Sequence, residues 1–483
     1  LKNEVESLDH QDLGVELQRI FPPERVLTSE LERRMYSYDS SFMARFHSFV
    51  PDAVVLPRST QEVSALMKLA SQRRIPVIPR GAGSGETCGC LAVRGGIVVD
   101  LSAWDAIEEV DVANMQVFAR PGVVHYKLNE HLAGFGLFFP PDPGSTRMCT
   151  VGGMVANNSS GLRAVKYGTT EQYVLGLEVV LPDGQVIQTG GSNNCRALKN
   201  VSGLNLTKLF VGSEGVLGII TRIRLRVWPR PKARGMAMAV FSELDQAPAA
   251  VLDVYQSGIL PSGIEILDTS AIQAINMYKP EINLPSAEAI LIFEVDGNPA
   301  GVAWEGQQIA EIVGRRAVSV EWATDPARMA DLWRGRSVVA VAAARLRPDG
   351  SRIFAGEDIS VPLSRVTEAL RRIKELSRKH HVAVVNYGHI GDGNIHTAPV
   401  INLDSSAEVQ RANALVDDIH RLAIAMGGST TGEHGVGAVR NLYAVDEHGE
   451  AALVMKQLKE TLDPLNIMNP GKILPPEGGK DRA

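Results

Sequence analysis

Ile75-Pro76-Val77-Ile78-Pro79-Arg80-Gly81-Ala82-Gly83-Ser84-Gly85 reads as a short apolar strand that runs into a loop with three glycines in five residues. Glycine removes the Cβ atoms that would hold a phosphate off the main chain, and successive N–H groups in such a turn form an anion nest. The loop therefore has the outline of a pyrophosphate site. It is not a dinucleotide fingerprint, because no Gly-x-Gly-x-x-Gly opens a βαβ unit there. By itself it also fits an ordinary glycine-rich turn. Upstream, Ala53-Val54-Val55-Leu56-Pro57 reads as a strand, and Ser59-Thr60-Gln61-Glu62 as a capping box opening a helix with the stripe Val63, Leu66, Met67 and Ala70. The segment from Asn3 to Ile20 is expected to form a covering helix without chemistry.

Two further tracts repeat the theme. Pro141-Asp142-Pro143-Gly144-Ser145-Thr146 leads to Thr150-Val151-Gly152-Gly153-Met154-Val155-Ala156-Asn157-Asn158-Ser159-Ser160-Gly161, nearly all small or hydrogen-bonding residues. Such a segment is expected to lie flat against a large ligand and not to build a core. Gly212-Ser213-Glu214-Gly215-Val216-Leu217-Gly218-Ile219-Ile220 opens a strand continuing to Val227. Three strips of this kind imply a long cofactor threaded through one domain.

The totals narrow the class. A chain of 483 residues with 45% hydrophobic content holds two or three domains with cores of their own. A formal charge of −6 without a basic block argues against nucleic acid or anionic membrane as the main partner. No apolar run approaches the ~18 residues of a membrane span. Leu1-Lys2-Asn3-Glu4 is polar, unlike a signal sequence. Cys88, Cys90, Cys149 and Cys195 are too few and too scattered for a disulfide framework or an iron–sulfur cluster. A reducing cytoplasm is the expected location, and any iron–sulfur relay belongs on another polypeptide.

Later in the chain, His389-Ile390-Gly391-Asp392-Gly393-Asn394-Ile395-His396 follows the apolar run Val382-Ala383-Val384-Val385. Asp392-Gly393 is a favoured two-residue hairpin turn, which would set His389 opposite His396 with Cβ atoms about 4.5–5.5 Å apart. Gly432-Glu433-His434-Gly435 adds a carboxylate and another imidazole. His389, His396 and Glu433 as ligands leave coordination positions open for substrate, a set that accepts zinc, manganese or iron. The same polar residues can also satisfy one another in a tight turn. Glu433 and His434 are adjacent, so in extended backbone their side chains point apart.

The order of Pro79 to Gly85, Pro141 to Gly144, Val151-Gly152-Gly153, Gly212 to Gly215 and Asn469-Pro470-Gly471-Lys472 resembles the FAD-linked oxidases of the vanillyl-alcohol oxidase type. The His389…His396 and Gly432 to Gly435 motifs narrow the resemblance to one branch, that of D-lactate dehydrogenase, D-2-hydroxyglutarate dehydrogenase and the matching component of glycolate oxidase. It covers the chain from about Tyr38 to Leu474. The resemblance implies an α+β fold: two subdomains clasping FAD, an α+β cap carrying the substrate site, and a C-terminal return to the flavin. With the proline-rich joint Trp228-Pro229-Arg230-Pro231 as a boundary, the expected domains are 1–228, 229–430 and 431–483.

By the same resemblance, Pro79, Arg80, Gly81, Ala82, Gly83, Ser84 and Gly85 hold the pyrophosphate. Pro141, Asp142, Pro143, Gly144, Ser145, Gly152, Gly153, Asn157, Ser159 and Gly161 line the flavin and ribityl chain. Glu214, Gly218 and Ile220 take the adenine side, and Asn469 closes the pocket. The first loop has no histidine, and the surroundings of Cys149 match the branch with non-covalent FAD.

Within Asp331-Leu332-Trp333-Arg334-Gly335-Arg336-Ser337, residue types alone also fit a solvated helix face, while the resemblance makes Arg336 the clamp on the substrate carboxylate. His434 becomes the general base for the hydroxyl proton, with hydride passing from C2 to the flavin. Relatives that take a dicarboxylate have a lysine where Gly356 stands here, beside Glu357, so D-lactate or glycolate is expected over D-2-hydroxyglutarate. Asn394 is expected to fix backbone geometry. His125, His131, His380 and His381 receive no role. Electrons leave to a separate acceptor, which the resemblance makes an iron–sulfur subunit, an electron-transfer flavoprotein, a quinone or a soluble carrier, and a homodimer is the further candidate assembly. The rivals are a flavin-free metal hydrolase, which leaves three glycine-rich tracts unexplained, a flavoprotein oxidising a sugar or aromatic alcohol without the metal, and a catalytically silent flavin-binding subunit of a larger electron-transfer complex.

Overall fold

The computed structural model describes residues 10–352 and 358–475. Gly356 and Glu357, on which the choice between mono- and dicarboxylate substrates turns, lie outside the described residues, as does the part of the first expected helix before His10. Contacts divide the chain into two units. One comprises 1–159, 169–229 and 434–483, and the other 160–168 and 230–433.

The described residues of the first unit form two main sheets and a two-stranded pair, Leu137–Phe138 with Trp228–Pro229. Ala53–Val55, Ile97–Asp100 and Val77–Arg80 run parallel in that order, with Val26–Leu27 antiparallel on the edge. Parallel strands are covered on both faces and read as unbroken apolar runs, and Ala53, Val54 and Val55 are accordingly fully buried. The helix Thr60–Arg73 covers them with Val63, Leu66, Met67 and Ala70, all buried as expected. Its capping box is only half built. Ser59 accepts from the Glu62 N–H at 3.2 Å, but the Glu62 carboxylate turns away to Arg25 and to the Arg58 N–H. The charged partner wins because a bidentate guanidinium pair is stronger than one bond to a neutral N–H. The second sheet is antiparallel, in the order Ile107–Asp111, Gln116–Ala119, Ile219–Arg226, Val174–Val180, Val186–Gln188.

The C-terminal segment returns to this unit. Val77 donates to the Ile467 carbonyl and the Asn469 N–H to the Val77 carbonyl, which makes a parallel bridge on the strand that carries the first glycine loop.

The second unit is built on one antiparallel sheet. Its order is Ser319–Ala323, Ala233–Phe241, Ala289–Gly297, Gly263–Asp268, Ala383–Gly388, Asn394–Ile401, Ser351–Arg352, and Ile359–Ser360 also pairs with Asn394–Ile401. The helices Thr269–Tyr278 and Pro326–Ala342 pack on one face, over Leu267, Ile290, Ile292, Val385 and Tyr387. Next to the strand Ala233–Phe241, Trp322 occupies a slot bounded by Gly235 and Gly306, where a Cβ on either glycine would meet its ring at 2.1 and 1.9 Å. Ser160–Gly168 belongs here through charge pairing: Arg163 to Glu294, Lys166 to Asp296 and the Tyr167 hydroxyl to Asp296.

Candidate active site

Three neighbouring strands of the second unit put their polar side chains on one face. Leu267 pairs with Tyr387, and Tyr387 with His396. Side chains alternate along a strand, so Glu265, two residues before Leu267, shares that face, and His389, just past the end of its strand at Gly388, meets Glu265 through Nδ1. The expected two-residue turn at Asp392-Gly393 does not form. Gly388 ends the strand at φ +156°, Ile390–Asp392 makes a 3-10 turn, and Gly393 alone of the expected pair takes a positive φ, +83°. The wider turn is tied down by the Tyr255 hydroxyl, which donates to the Gly391 carbonyl at 2.6 Å. His396 therefore faces Tyr387 and not His389. A register shift of two residues preserves the side-chain face. The two imidazoles still meet, with ring centroids 5.1 Å apart and planes near perpendicular.

Both Nε2 atoms point to one carboxylate oxygen. Glu433 Oε1 lies 3.3 Å from His389 Nε2 and 3.6 Å from His396 Nε2, and one donor atom from each of the three residues falls within 4.8 Å of the others. The remaining imidazole nitrogens are backed by carboxylates. His389 Nδ1 is hydrogen-bonded to Glu265, and His396 Nδ1 stands 3.9 Å from Asp358. A carboxylate behind a metal-ligating histidine fixes its tautomer and ring orientation. Two imidazoles, one carboxylate and these backing groups fit a divalent cation.

Glu265 and Asp358 were not singled out in the sequence. Their signal is a charged residue inside an apolar strand run, Gly263-Ile264-Glu265-Ile266-Leu267, and at the edge of another, Asp358-Ile359. Buried Glu265 also pairs with Arg336 Nε, and the guanidinium lies 5.2 Å over the Tyr387 ring. Arg334, on the same helix, is exposed and pairs with Asp331. Asp358 accepts from Asn394 Nδ2, the Thr431 hydroxyl and the Glu433 N–H, and so holds the Glu433 backbone. Asn394 also donates to the Ile359 carbonyl, the backbone-fixing task expected of it. Burial alone would lower the pKa of His389, but the carboxylates of Glu265 and Glu433 outweigh it and raise it well above 6.5. Burial also pushes Asp392 up to about 6.

In the first unit the three glycine tracts and the C-terminal motif converge. A Cβ on Gly81 would meet Thr150 Oγ1 at 2.3 Å, and one on Gly215 would meet Pro79 at 2.4 Å. Gly212 and Glu214 donate to the carbonyls of Val155 and Ala156, and Asn469 Nδ2 reaches the carbonyls of Gly89 and Glu214. Arg80 braces the first loop from below: it donates to the Tyr38 carbonyl and the Cys90 thiol, and its guanidinium lies where a Cβ on Gly83 would fall. Ala82 is exposed and Ser84 half-buried, and open space adjoins Gly85 and Gly144.

The second tract differs from expectation. Val151–Asn157 is a helix capped by Thr150, and Val151, Met154 and Val155 enter the core. The pattern of apolar residues three and four apart gives even a glycine-rich segment one packing face. Gly152, Gly153 and Asn157 stay half-buried on the other side, as does Ser159 just beyond, while Gly161 falls in the second unit. Pro141 and Pro143 are buried, and Asp142 and Ser145 half-buried. Gly218 packs on Val179 and Val180, and Ile220 pairs with Val179. The Glu214 carboxylate accepts from the N–H groups of Val436 and Gly437. Converging small-residue strips with open space at two glycines fit an extended phosphate-bearing cofactor.

Among the histidines without a role, His125 is buried against Thr146 and Asn129, and His380 pairs with Asp418. All four cysteines are free thiols. Among the described residues no helix is long and apolar enough to cross a membrane.

Two family models match the chain: an FAD binding domain over residues 51–190 and the C-terminal domain of FAD linked oxidases over 230–473. The chain is 36% identical over 473 residues to the glycolate oxidase subunit GlcD of Bacillus subtilis, covering 97% of this chain and 98% of that protein. It is 38% identical to a probable mitochondrial D-lactate dehydrogenase of Danio rerio, covering 88% and 84%. Among solved structures, p-cresol methylhydroxylase aligns with a TM-score of 0.79 at 14% identity, over 98% of this chain and 99% of that one. The 4-ethylphenol oxidase of Gulosibacter chungangensis aligns at 0.78 and 18% identity, over 98% and 99%. These are flavoproteins of the vanillyl-alcohol oxidase type, and the α+β fold expected from the motifs is theirs.

Proposed function

Because the chain belongs to the FAD-linked oxidases, we propose that it oxidises a short D-2-hydroxy acid, D-lactate or glycolate, to the 2-oxo acid. The observation that carries this reading is the convergence of His389 Nε2, His396 Nε2 and Glu433 on one point, with Glu265 behind the first imidazole. When bound, a divalent cation there would supply positive charge beside the hydroxyl oxygen, and FAD would supply hydride-accepting chemistry. His389 and His396 would offer Nε2 as ligands because Glu265 and Asp358 stand on the Nδ1 side. Arg336 spends Nε on Glu265 and so presents its two Nη donors to the substrate carboxylate, holding it in one plane. His434, the residue after Glu433, takes the hydroxyl proton on a ring nitrogen. Non-covalent FAD would lie along the tracts at Arg80–Gly85, Pro141–Ser145 and Gly152–Ser159.

The acceptor for the electrons is proposed to be another polypeptide, an iron–sulfur subunit or electron-transfer flavoprotein, since the chain carries four scattered thiols and no cluster motif. Those thiols, all unbridged, are what supports a cytoplasmic location. The test is anaerobic mixing of the flavin-loaded protein with D-lactate, L-lactate, glycolate and D-2-hydroxyglutarate while flavin absorbance is followed. Bleaching by D-lactate or glycolate but not L-lactate is expected. Bleaching by none of them would remove the reading.

A further inference from the structure

Glu86 directly follows the first glycine loop. In the first unit its Oε2 is buried, without a hydrogen-bond partner among the described residues, and lies 3.5 Å from His434 Nδ1. Both side chains are about one-fifth exposed, so the pair is partly shielded from water without being sealed off. The backbone around the imidazole is already held. Asn157 Nδ2 donates to the His434 carbonyl at 3.4 Å, and the N–H groups of Val436 and Gly437 both donate to Glu214 at 2.7 Å. Gly435, at φ +85°, makes the sharp departure between them. With the main chain pinned on either side, the Glu86 carboxylate faces the Nδ1 edge of the ring. A carboxylate there favours the N–H at that nitrogen and leaves Nε2 with its lone pair.

We infer that Glu86 is a positioning residue for His434: it holds the Nδ1 proton and turns Nε2 toward the hydroxyl whose proton it receives. The inference rests on the reading of His434 as the base. As the substrate hydroxyl loses its proton to Nε2, the proton on Nδ1 stays between His434 and Glu86, and the carboxylate offsets the positive charge that forms on the ring. Glu86 reaches substrate only through His434, so its effect must vanish when His434 is absent.

That dependence is the test. E86L, E86Q, H434A and the double variant E86L/H434A are loaded with FAD, and the limiting rate of anaerobic flavin reduction and the substrate dissociation constant are measured with D-lactate or glycolate. E86L should reduce flavin about a hundredfold more slowly, the scale of losing an oriented acid–base group, with its dissociation constant within about twofold of the parent. E86Q, which keeps an acceptor oxygen, should lose less. Adding E86L to H434A should change nothing further, because two residues acting as a unit are not additive. An E86L rate equal to the parent's beside a slow H434A overturns the role of Glu86 and leaves the base reading standing. A slowing by the same factor in the H434A background overturns it too, since that marks a general structural effect. An H434A protein as fast as the parent removes the base reading itself. Where E86L fails to retain FAD, E86Q and E86Q/H434A carry the same comparison.

Discussion

The cluster around His389 and the tracts around Arg80 are built by opposite means. The first is a site of side chains. Glu265 and His396 come from the strands on either side of the one that ends at Gly388, His389 follows that end, and Arg336 comes from the helix over them, so its geometry depends on sheet register. The second is a site of main chain, in which glycines and capping residues bring backbone into the open and the C-terminal segment ties the strips together. Buried charges hold the first cluster, and a lost partner there leaves another charge unmatched. Short backbone hydrogen bonds hold the second, and each loss there is smaller. The comparison predicts where each unit is fragile.

The largest effect is expected at the cluster. H396A removes one of the two imidazoles proposed to hold the cation, and substrate-driven flavin reduction should fall by about a thousandfold or more, while FAD stays bound and is still reduced by dithionite. Treatment with a strong chelator should reproduce the loss, with activity restored by added divalent metal. A chelated protein that reduces flavin at the parent rate would dissolve the contrast between the two sites.

E265Q tests the group behind the ligand. Weakening a carboxylate that orients a metal-bound histidine typically lowers metal affinity by about 10- to 100-fold. A competition titration against a metal-binding dye should show that drop with FAD content unchanged.

In the first unit, E214Q removes the charge that accepts two backbone N–H groups. It should cost about 1–3 kcal/mol of stability, the scale of leaving one buried donor unmatched, read from urea unfolding of the flavin-loaded protein. A loss well above about 3 kcal/mol would mean that this backbone site is no more forgiving than a buried charge cluster.

The smallest expected effect is a pH slope. Burial, only partly offset by Cys88, Cys90, Glu214 and Asp39, lowers Lys472 from 10.5 to about 8. Between those values the unfolded chain binds more protons than the folded one, so this residue makes stability rise with pH from about 8 upward, and its penalty is fully in place below 8. K472M should flatten the dependence of the unfolding temperature on pH over that interval.

Much of the fold was legible because its signals are local. The strand Val77–Arg80, the helix Thr60–Arg73 with its buried stripe, and the strand Ile219–Arg226 are each specified by neighbouring residues. Glycine-rich strips announce exposed backbone wherever they occur. The helix at Val151–Asn157 is masked by its small-residue composition, although the spacing of Val151, Met154 and Val155 is enough to bury one face. The hairpin was misplaced by two residues because Asp392-Gly393 favours a tight turn locally, whereas Tyr255, distant in sequence, holds a wider one.

What the sequence determined by itself is therefore the inventory: which residues can bind phosphate, ligate a cation, hold a carboxylate or take a proton. Residue chemistry and short-range spacing are enough for that. Only the tertiary structure decided the partners of those residues. That Glu265 backs His389 and pairs with Arg336, that Asp358 fixes the backbone of Glu433, and that Glu86 faces His434 all join positions far apart in sequence. Such pairings follow from strand register and from where the chain returns, and neither is encoded by any residue's neighbours along the chain.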